Sequence, residues 1–183
     1  MLAAITQVLN QDSDTQVDVC MTSEMARRIE LWTAMYEDNA PWVDRKKVKS
    51  AQLPAAIASE VARLVTLEMK SEITGGSSAT YLNEQYQKKV LKSIRRYVEY
   101  GCAKGGLILK PYVTKTGLAI QYVQADCFFP LAFDDSGQIQ QCVFTEQFRK
   151  GQKIYTRLEV HTLQGEQIRI TNRAFVATNV YSL

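Results

Sequence analysis

The sequence predicts an α+β fold, with helices in the amino-terminal half and an antiparallel β meander in the carboxyl-terminal half. Two observations predict it. Apolar residues recur at helical spacing up to about residue 100, and beyond Gly106 the apolar period falls to about two. Because the helices come first and the strands second, the pattern favours α+β over a parallel α/β sheet, in which helices and strands alternate.

The first predicted helix covers about residues 22–37. Four of its large apolar side chains recur at helical spacing: Met25, Ile29, Trp32 and Tyr36. Thr22 or Ser23 provides a side-chain oxygen that caps the free amides of the first turn. The helix ends before Pro41, because the residue preceding a proline is disfavoured in a helix. Residues 1–21 carry no strong period, so we expect a loosely ordered arm there.

The second predicted helix covers about residues 53–70. Pro54 lies in its first turn, where a missing backbone donor costs nothing. Apolar groups surround most of the circumference. They leave only a narrow polar strip, which consists of Ser59, Glu60, Arg63 and Lys70. A helix that is apolar on most sides is typical of one enclosed by protein, and we expect neighbours on two or three sides.

The third predicted helix, about residues 79–100, has a packing face and a basic face. At 100° per residue the packing face contains Tyr86, Val90, Ile94, Tyr97 and Val98. The opposite side, which we call the basic helix face, contains Lys88, Lys89, Lys92, Arg95 and Arg96. A second basic cluster consists of Arg45, Lys46, Lys47 and Lys49. The basic helix face is the candidate contact site for an acidic protein or for nucleic acid, and a solvated surface is the plainer interpretation.

The residue pattern of the second half of the chain predicts the β meander. Gly101 and the Gly105–Gly106 pair end the helical part, since glycine tolerates the left-handed conformation that terminates a helix. Two strands, Leu107–Tyr112 and Leu118–Val123, flank a Lys115-Thr116-Gly117 turn and form a hairpin. Further strands are predicted at about residues 141–148, 154–162 and 167–176. The chain therefore divides into an arm (1–21), a helical part (22–101) and a β-rich part (102–183).

Charge and cysteine content exclude several classes of protein. A net charge of +3, from 22 Lys and Arg against 19 Asp and Glu, gives no overall basic field to bind a polyanion. The four cysteines lie far apart without a Cys-x-x-Cys pair, and only one histidine, His161, is present to join them, so we predict no metal site. The sequence shows neither a secretory signal nor an apolar run of membrane-spanning length. We expect cytosolic synthesis with reduced thiols.

The sequence offers few features of an enzyme. Nucleotide-binding, serine-hydrolase and zinc-protease motifs are absent, and we predict neither a catalytic residue nor a cofactor. His161 lies in an alternating strand with no visible partner for general-base catalysis. The segment Asp134-Asp135-Ser136-Gly137 lacks the ligand spacing of a calcium loop, and we interpret it as a solvated turn.

Three blocks of the sequence resemble portal proteins of tailed bacteriophages, of the type found in siphophages and in prophages of Gram-positive bacteria. The blocks are Leu53–Glu68 (LPAAIASEVARLVTLE), Tyr97–Gly106 (YVEYGCAKGG) and Val123–Pro130 (VQADCFFP). The segment from Glu30 to Trp42 is similar to the same family, and the resemblance runs from about Ser23 to Ala177. It therefore covers almost the whole chain.

The resemblance implies a non-enzymatic subunit of a homo-oligomeric ring at one capsid vertex of the virion, made in the bacterial cytoplasm. Through the full-length ring double-stranded DNA is packaged and ejected. The resemblance also implies contacts with the terminase, which carries the ATPase activity, with scaffold or capsid proteins, and with the head-to-tail connector.

The same resemblance assigns residues 22–183 to the portal wing region. The stem, clip and crown of the family are absent, so we expect a portal fragment. The alternative function is a sequence-independent nucleic-acid-binding module that uses the basic helix face. An unrecognised enzyme is a third hypothesis, which a pocket lined by groups with perturbed pKa values would favour.

Overall fold

The computed structural model describes residues 2–11, 17–44, 46–47, 50–115 and 117–176. It confirms the α+β prediction, with helices first and antiparallel strands after them. The helices are α1 (Leu2–Asn10), α2 (Ser23–Tyr36), α3 (Leu53–Leu67), α4 (Ala79–Tyr86) and α5 (Ile94–Lys104). The strands are β1 (Leu107–Thr114), β2 (Gly117–Gln124), β3 (Phe128–Phe133), β4 (Ile139–Lys150), β5 (Lys153–Gln164) and β6 (Gln167–Val176).

The chain groups into two compact units. Unit 1 combines residues 1–27 with residues 126–183, and unit 2 contains residues 28–125. The sequence divided the chain near residue 101 instead, between helices and strands. That boundary falls inside unit 2, because the β1–β2 hairpin packs against α5: the ring of Tyr122 stacks on the ring of Tyr97, with centroids 3.6 Å apart.

Unit 1 is built on a four-stranded antiparallel meander in the order β3-β4-β5-β6. Successive side chains of a strand point to opposite faces, so one face of the sheet collects the alternate apolar residues and packs as a core. The core residues are Ile5 and Leu9 of α1, Phe129 and Leu131 of β3, Val143 of β4, and Leu158 and Val160 of β5. The meander predicted from the sequence is therefore present, and α1 covers one face of it.

The amino-terminal segment differs from the prediction for residues 1–21. Instead of a loosely ordered arm, residues 2–10 form α1, and Ile5 is fully buried. Arg173 of β6 donates hydrogen bonds from Nη1 to the carbonyl oxygens of Val8 and Leu9, at 2.8 and 2.9 Å. A cation is favourable at this end of a helix, where carbonyl oxygens lack partners. A nine-residue helix is marginal alone, so packing against the sheet stabilises it rather than any signal in its own sequence.

Strand β3 was not predicted. Its sequence contains Pro130, which removes a backbone donor and normally argues against a strand. However, β3 is the edge of the four-stranded sheet, where a proline is tolerated. The carbonyl oxygen of Pro130 accepts a hydrogen bond from the amide of Cys20, at 2.8 Å, so the amino-terminal segment covers this edge.

Unit 2 contains the helices α3 to α5 and the β1–β2 hairpin. The turn predicted between these two strands is confirmed, although Thr116 lies outside the described residues. Helix α5 continues through Gly101, which the sequence had placed among the glycines that end the helical part, and it ends at Gly105, which has a φ of 84° as predicted for a glycine that terminates a helix. A Cβ atom at Gly105 would lie 3.0 Å from the Trp32 ring, so the close approach of α2 also requires glycine here.

The helix predicted over residues 79–100 is interrupted. Between α4 and α5 the residues Gln87–Leu91 form a π-helical turn, in which the Lys92 amide donates to the Gln87 carbonyl, five residues back, at 3.3 Å. The Tyr122 hydroxyl donates to the Lys89 carbonyl oxygen within this turn, at 2.6 Å. A π turn inserts an extra residue and changes the direction of the side chains that follow it.

Burial distinguishes two leucines of β5 and predicts their contributions to stability. Leu158 is fully buried in the core, whereas Leu163 on the same strand is 39% exposed. We expect Leu158→Ala to lower the free energy of unfolding by about 2–5 kcal/mol, because it leaves a cavity. The matched change Leu163→Ala should cost well under half as much. Urea denaturation followed by circular dichroism measures both, and equal losses would contradict the assignment of the core.

Candidate interaction surfaces

Helix α3 exposes most of its large apolar side chains. Five of them, 40% to 63% exposed, lie within an arc of about 120° at 100° per residue and form what we call the α3 apolar face. They are Leu53, Ile57, Val61, Leu64 and Val65. The sequence predicted that this helix is enclosed on two or three sides. Within the described part of this chain that expectation is wrong, because only Ala58 and Ala62 are buried.

The alanines explain the orientation of α3. Ala58 and Ala62 lie one turn apart, and at 100° per residue they border the α3 apolar face on the side of Val65; α3 packs on α5. Small side chains let two helices approach closely, and the larger apolar side chains of α3 stay 40% or more exposed. The α3 apolar face is therefore a consequence of which residues contact α5.

A charged pair borders the α3 apolar face. Glu60 accepts two hydrogen bonds from the Arg63 guanidinium, at 2.8 and 2.6 Å. The Arg63 hydrogen bond, with further help from the nearby charges of Arg63 and Arg95, lowers the pKa of the Glu60 carboxyl. This border stays ionised at neutral pH and carries both signs of charge.

The basic helix face is distributed over three local structures. Lys88 and Lys89 lie in the π-helical turn, Lys92 follows it, and Arg95 and Arg96 open α5. All are exposed except Lys89, which is half-buried. The sequence placed the five cations in one stripe by assuming a regular helix with 100° per residue. The π turn interrupts that regular helix, so the five cations do not lie along a single straight helix.

Two of these cations have partners within the same helical segment. Lys88 pairs with Glu84 at 3.5 Å, and Arg96 donates to the Tyr100 hydroxyl at 3.0 Å while lying 5.7 Å from the centre of its ring. In the other predicted cluster, Lys47 pairs with Asp44 at 3.3 Å, and Arg45 and Lys49 lie outside the described residues. These surface pairs reduce the charge available to a polyanion.

A tyrosine cluster that the sequence did not predict joins α2, α5 and β2. The Tyr36 hydroxyl donates to the Glu99 carboxylate at 2.8 Å, and its ring meets the ring of Tyr100 edge to face at 5.9 Å. Tyr97 and Tyr100 are three residues apart on α5, which is the only local signal of the cluster in the sequence. The cluster positions α5, and with it part of the basic helix face.

The residues considered for catalysis and for cation binding form internal contacts. His161 Nε2 lies 2.7 Å from the Glu159 carboxylate, and its ring meets the edge of Phe144 at 4.9 Å. The Asp134 carboxylate accepts hydrogen bonds from Ser136, Gln138 and Gln140, and the bonds from Ser136 and Gln138 lower its pKa. Both groups thus stabilise local structure in unit 1.

The described ranges contain no group of three or more His, Cys, Asp or Glu side chains placed to hold a metal ion. No disulfide joins the four cysteines, Cys20, Cys102, Cys127 and Cys142, all of which the structure describes. Among the helices that the structure describes, none has the length and apolar character needed to cross a membrane.

Comparisons with family models, with curated proteins and with solved structures give no match to this chain. A functional assignment therefore depends on the resemblance of the three sequence blocks and on the surfaces described above.

The tyrosine cluster predicts alkaline destabilisation. Burial, together with the hydrogen bond to Glu99, raises the pKa of Tyr36 above its ordinary value of 10. The folded state therefore favours the neutral hydroxyl, and this stabilisation is complete below the unfolded pKa and lost as pH rises through the folded pKa. We expect Tyr36→Phe to cost about 1 kcal/mol near neutral pH, and the difference from wild type to shrink above pH 10.

Urea denaturation of wild type and Tyr36→Phe at neutral and alkaline pH measures this effect. Tyr122, whose pKa burial also raises, is present in both proteins and serves as the internal control. A difference in stability that stays constant with pH would contradict the role of the Tyr36 hydroxyl.

Proposed function

We propose that this chain is the wing-side part of a structural subunit of a tailed-phage portal ring, which acts through protein–protein association and not through catalysis. Two features support the proposal: the three sequence blocks that resemble portal proteins, and the exposed surfaces of unit 2. In this role the chain belongs to the virion, at the vertex through which DNA enters and leaves.

The observation that carries the proposal is the exposure of the α3 apolar face. A soluble monomer rarely exposes a contiguous apolar surface of more than a few hundred Å², and larger patches mark interaction sites. Helix α3, Leu53–Leu67, lies almost entirely within the block Leu53–Glu68 that resembles the family. The same residues thus carry both the resemblance and the surface suited to assembly.

The fold supports a structural role in a second way. His161 and Asp134 were considered for catalysis and for cation binding. Their side chains instead form hydrogen bonds within the fold, His161 with Glu159 and Asp134 with Gln140. On this proposal, terminase, scaffold or capsid proteins and the connector bind surfaces of the assembled ring. The basic helix face, which is mostly exposed, is available to an acidic surface of one of them.

Localisation in particles tests the proposal. In the strain that carries the gene, phage particles produced after induction are labelled with gold-conjugated antibody against this chain and viewed by electron microscopy. We expect label at one vertex of each head, and a terminase large-subunit gene immediately upstream. Label spread over the whole shell, or absent from particles, would sink the proposal.

A sequence-independent nucleic-acid-binding module is the second candidate function. The observation in its favour is the exposure of Lys88, Lys92, Arg95 and Arg96. Against it, Lys88 and Arg96 already have partners, and Glu84 places an acidic group beside them. We therefore favour a protein contact for this face.

Fluorescence anisotropy with a labelled DNA duplex separates the two functions. We expect negligible binding at about 0.15 M salt, because few phosphates can be neutralised. Binding at micromolar concentration would favour the module instead. In that case Lys92→Ala and Arg95→Ala should each reduce the slope of log affinity against log salt concentration by about one. Lys47→Ala, which removes an exposed lysine outside the basic helix face, is the control.

A further inference from the structure

We propose that residues 69–74 of one copy of this chain add as a parallel strand to the free edge of β6 in a second copy. The contact is head-to-tail, because it joins two different surfaces of the chain. A closed ring needs contacts of this kind, so the inference rests on the proposed function for its place in a ring. The register of the added strand follows from the backbone groups and side chains of the two segments.

The two edges of the four-stranded sheet differ in how they are protected. At the β3 edge, Pro130 removes a donor, the register shifts on both sides of Ala132, and the Cys20 amide donates to the Pro130 carbonyl oxygen. At the other edge, β6 contains no proline and pairs with β5 in an unbroken register over its whole length, Gln167–Val176. A regular edge without such protection is a template for another strand. The β6 edge is therefore open to pairing.

The backbone of β6 presents alternate residues to this edge. A turn of two residues, 165–166, joins β5 to β6, and Gln164 and Gln167 close it. The pair that closes a turn of this length exchanges hydrogen bonds, and bonded and non-bonded pairs then alternate along the strands. The odd-numbered residues of β6 therefore bond to β5. The N–H and C=O groups of the even-numbered residues, such as Ile168 and Ile170, point to the free edge, where no described strand pairs with them.

Residues 69–74 offer the matching backbone groups. They lie between α3 and α4, contain no turn or bend, and are exposed except for half-buried Ser71. One side of the segment faces α4 and the π-helical turn, because Gln87 Nε2 donates to the Ser71 carbonyl oxygen at 3.4 Å and the Ile73 amide donates to Asn83 Oδ1 at 3.3 Å. Backbone groups of successive residues in an extended chain point to opposite sides, so those of the even-numbered residues point away from the helices. Within the described ranges no backbone hydrogen bond reaches these even-numbered residues, which are Lys70, Glu72 and Thr74.

The two backbone edges and the side chains select one register, in which the strands are parallel and Glu72 lies opposite Arg169. In parallel pairing, a residue whose backbone points across the contact lies opposite one whose backbone points away. The Glu72 amide then donates to the Ile168 carbonyl oxygen, and the Glu72 carbonyl oxygen accepts from the Ile170 amide. Antiparallel pairing of the same edges would instead place Glu72 opposite an even-numbered residue such as Ile170, with a charged side chain against an apolar one.

The side chains are complementary in the parallel register. Glu72 and Arg169 are both exposed, and among the described residues neither has an ion-pair partner. On the other face, Ile73 lies beside Ile170; they are 38% and 52% exposed, and cross-strand apolar pairs of this kind stabilise a sheet. Lys70, the second charged residue of the segment, lies beside an uncharged glutamine. No two like charges are therefore placed directly opposite each other.

Sedimentation velocity of the full chain measures the association. We expect reversible association with a dissociation constant on the order of 100 µM, because a contact of so few residues is below the standard interface size. A chain that stays monomeric at about 500 µM would overturn the inference. This result would leave the portal proposal untouched, because labelling of particles tests that proposal separately. Particles without label, from a chain that associates as expected, would sink the portal proposal alone.

Two proline variants locate the contact on β6. Ile170→Pro removes the amide that donates to Glu72 and should weaken association at least tenfold. Circular dichroism should show an unchanged fold, since proline is tolerated in an edge strand where its nitrogen faces away from the sheet. The matched control Ala174→Pro changes the same edge beyond the contact and should leave association intact. Association that survives Ile170→Pro, or that Ala174→Pro weakens equally, would overturn the assignment.

Mixing two charge variants tests the head-to-tail pairing without proline. Glu72→Arg and Arg169→Glu should each associate severalfold more weakly than wild type, because each places like charges opposite one another. In an equal mixture, every contact between the two variants joins opposite charges, so association should recover to near the wild-type strength. A mixture that associates as weakly as its components would exclude the pairing of Glu72 with Arg169.

Discussion

The packing of α3 against α5 is the constraint on which the proposed functions of unit 2 depend. Ala58 and Ala62 are the buried residues of α3, and the larger side chains on the neighbouring arc of the helix stay exposed. The exposed area is large for a helix of 15 residues, and water covers it at a cost until another surface does. An exposed apolar surface of this kind marks an interaction site.

In unit 1, a helix covers apolar residues of the sheet. This sheet has an apolar face, and α1 supplies Ile5 and Leu9 to cover it, and Arg173 holds the end of that helix in place. The sheet therefore has a buried core in which α1 takes part, although β6 leaves Ile168 and Ile170 exposed. The two units therefore differ in how a helix is used: α1 buries its apolar side chains against the sheet, and α3 keeps its large apolar side chains exposed.

The polar groups of the chain are used mainly to shape it. The Tyr36–Glu99 bond joins α2 to α5, the Tyr122 hydroxyl satisfies a carbonyl of the π turn, and Asp134 closes the turn between β3 and β4. Of these, Asp134 belongs to the segment that the sequence offered for cation binding. These hydrogen bonds thus connect elements of the fold.

The sequence by itself determined the fold class, the positions of α2, α3 and the last three strands, and the glycine that ends α5, because these depend on local periodicity and on the conformational freedom of single residues. The five cations of the basic helix face stay a predicted contact site, and the structure distributes them over the π turn, the residue that follows it and α5. Only the tertiary structure decided that residues 2–10 form a helix, that Pro130 lies in an edge strand, and that a π turn divides the third predicted helix. Those features depend on contacts with distant residues, such as Arg173 on α1 and Tyr122 on the π turn. The same holds for α3: the sequence showed a helix apolar on most sides, but which side is covered depends on where α5 lies, and no local pattern records that.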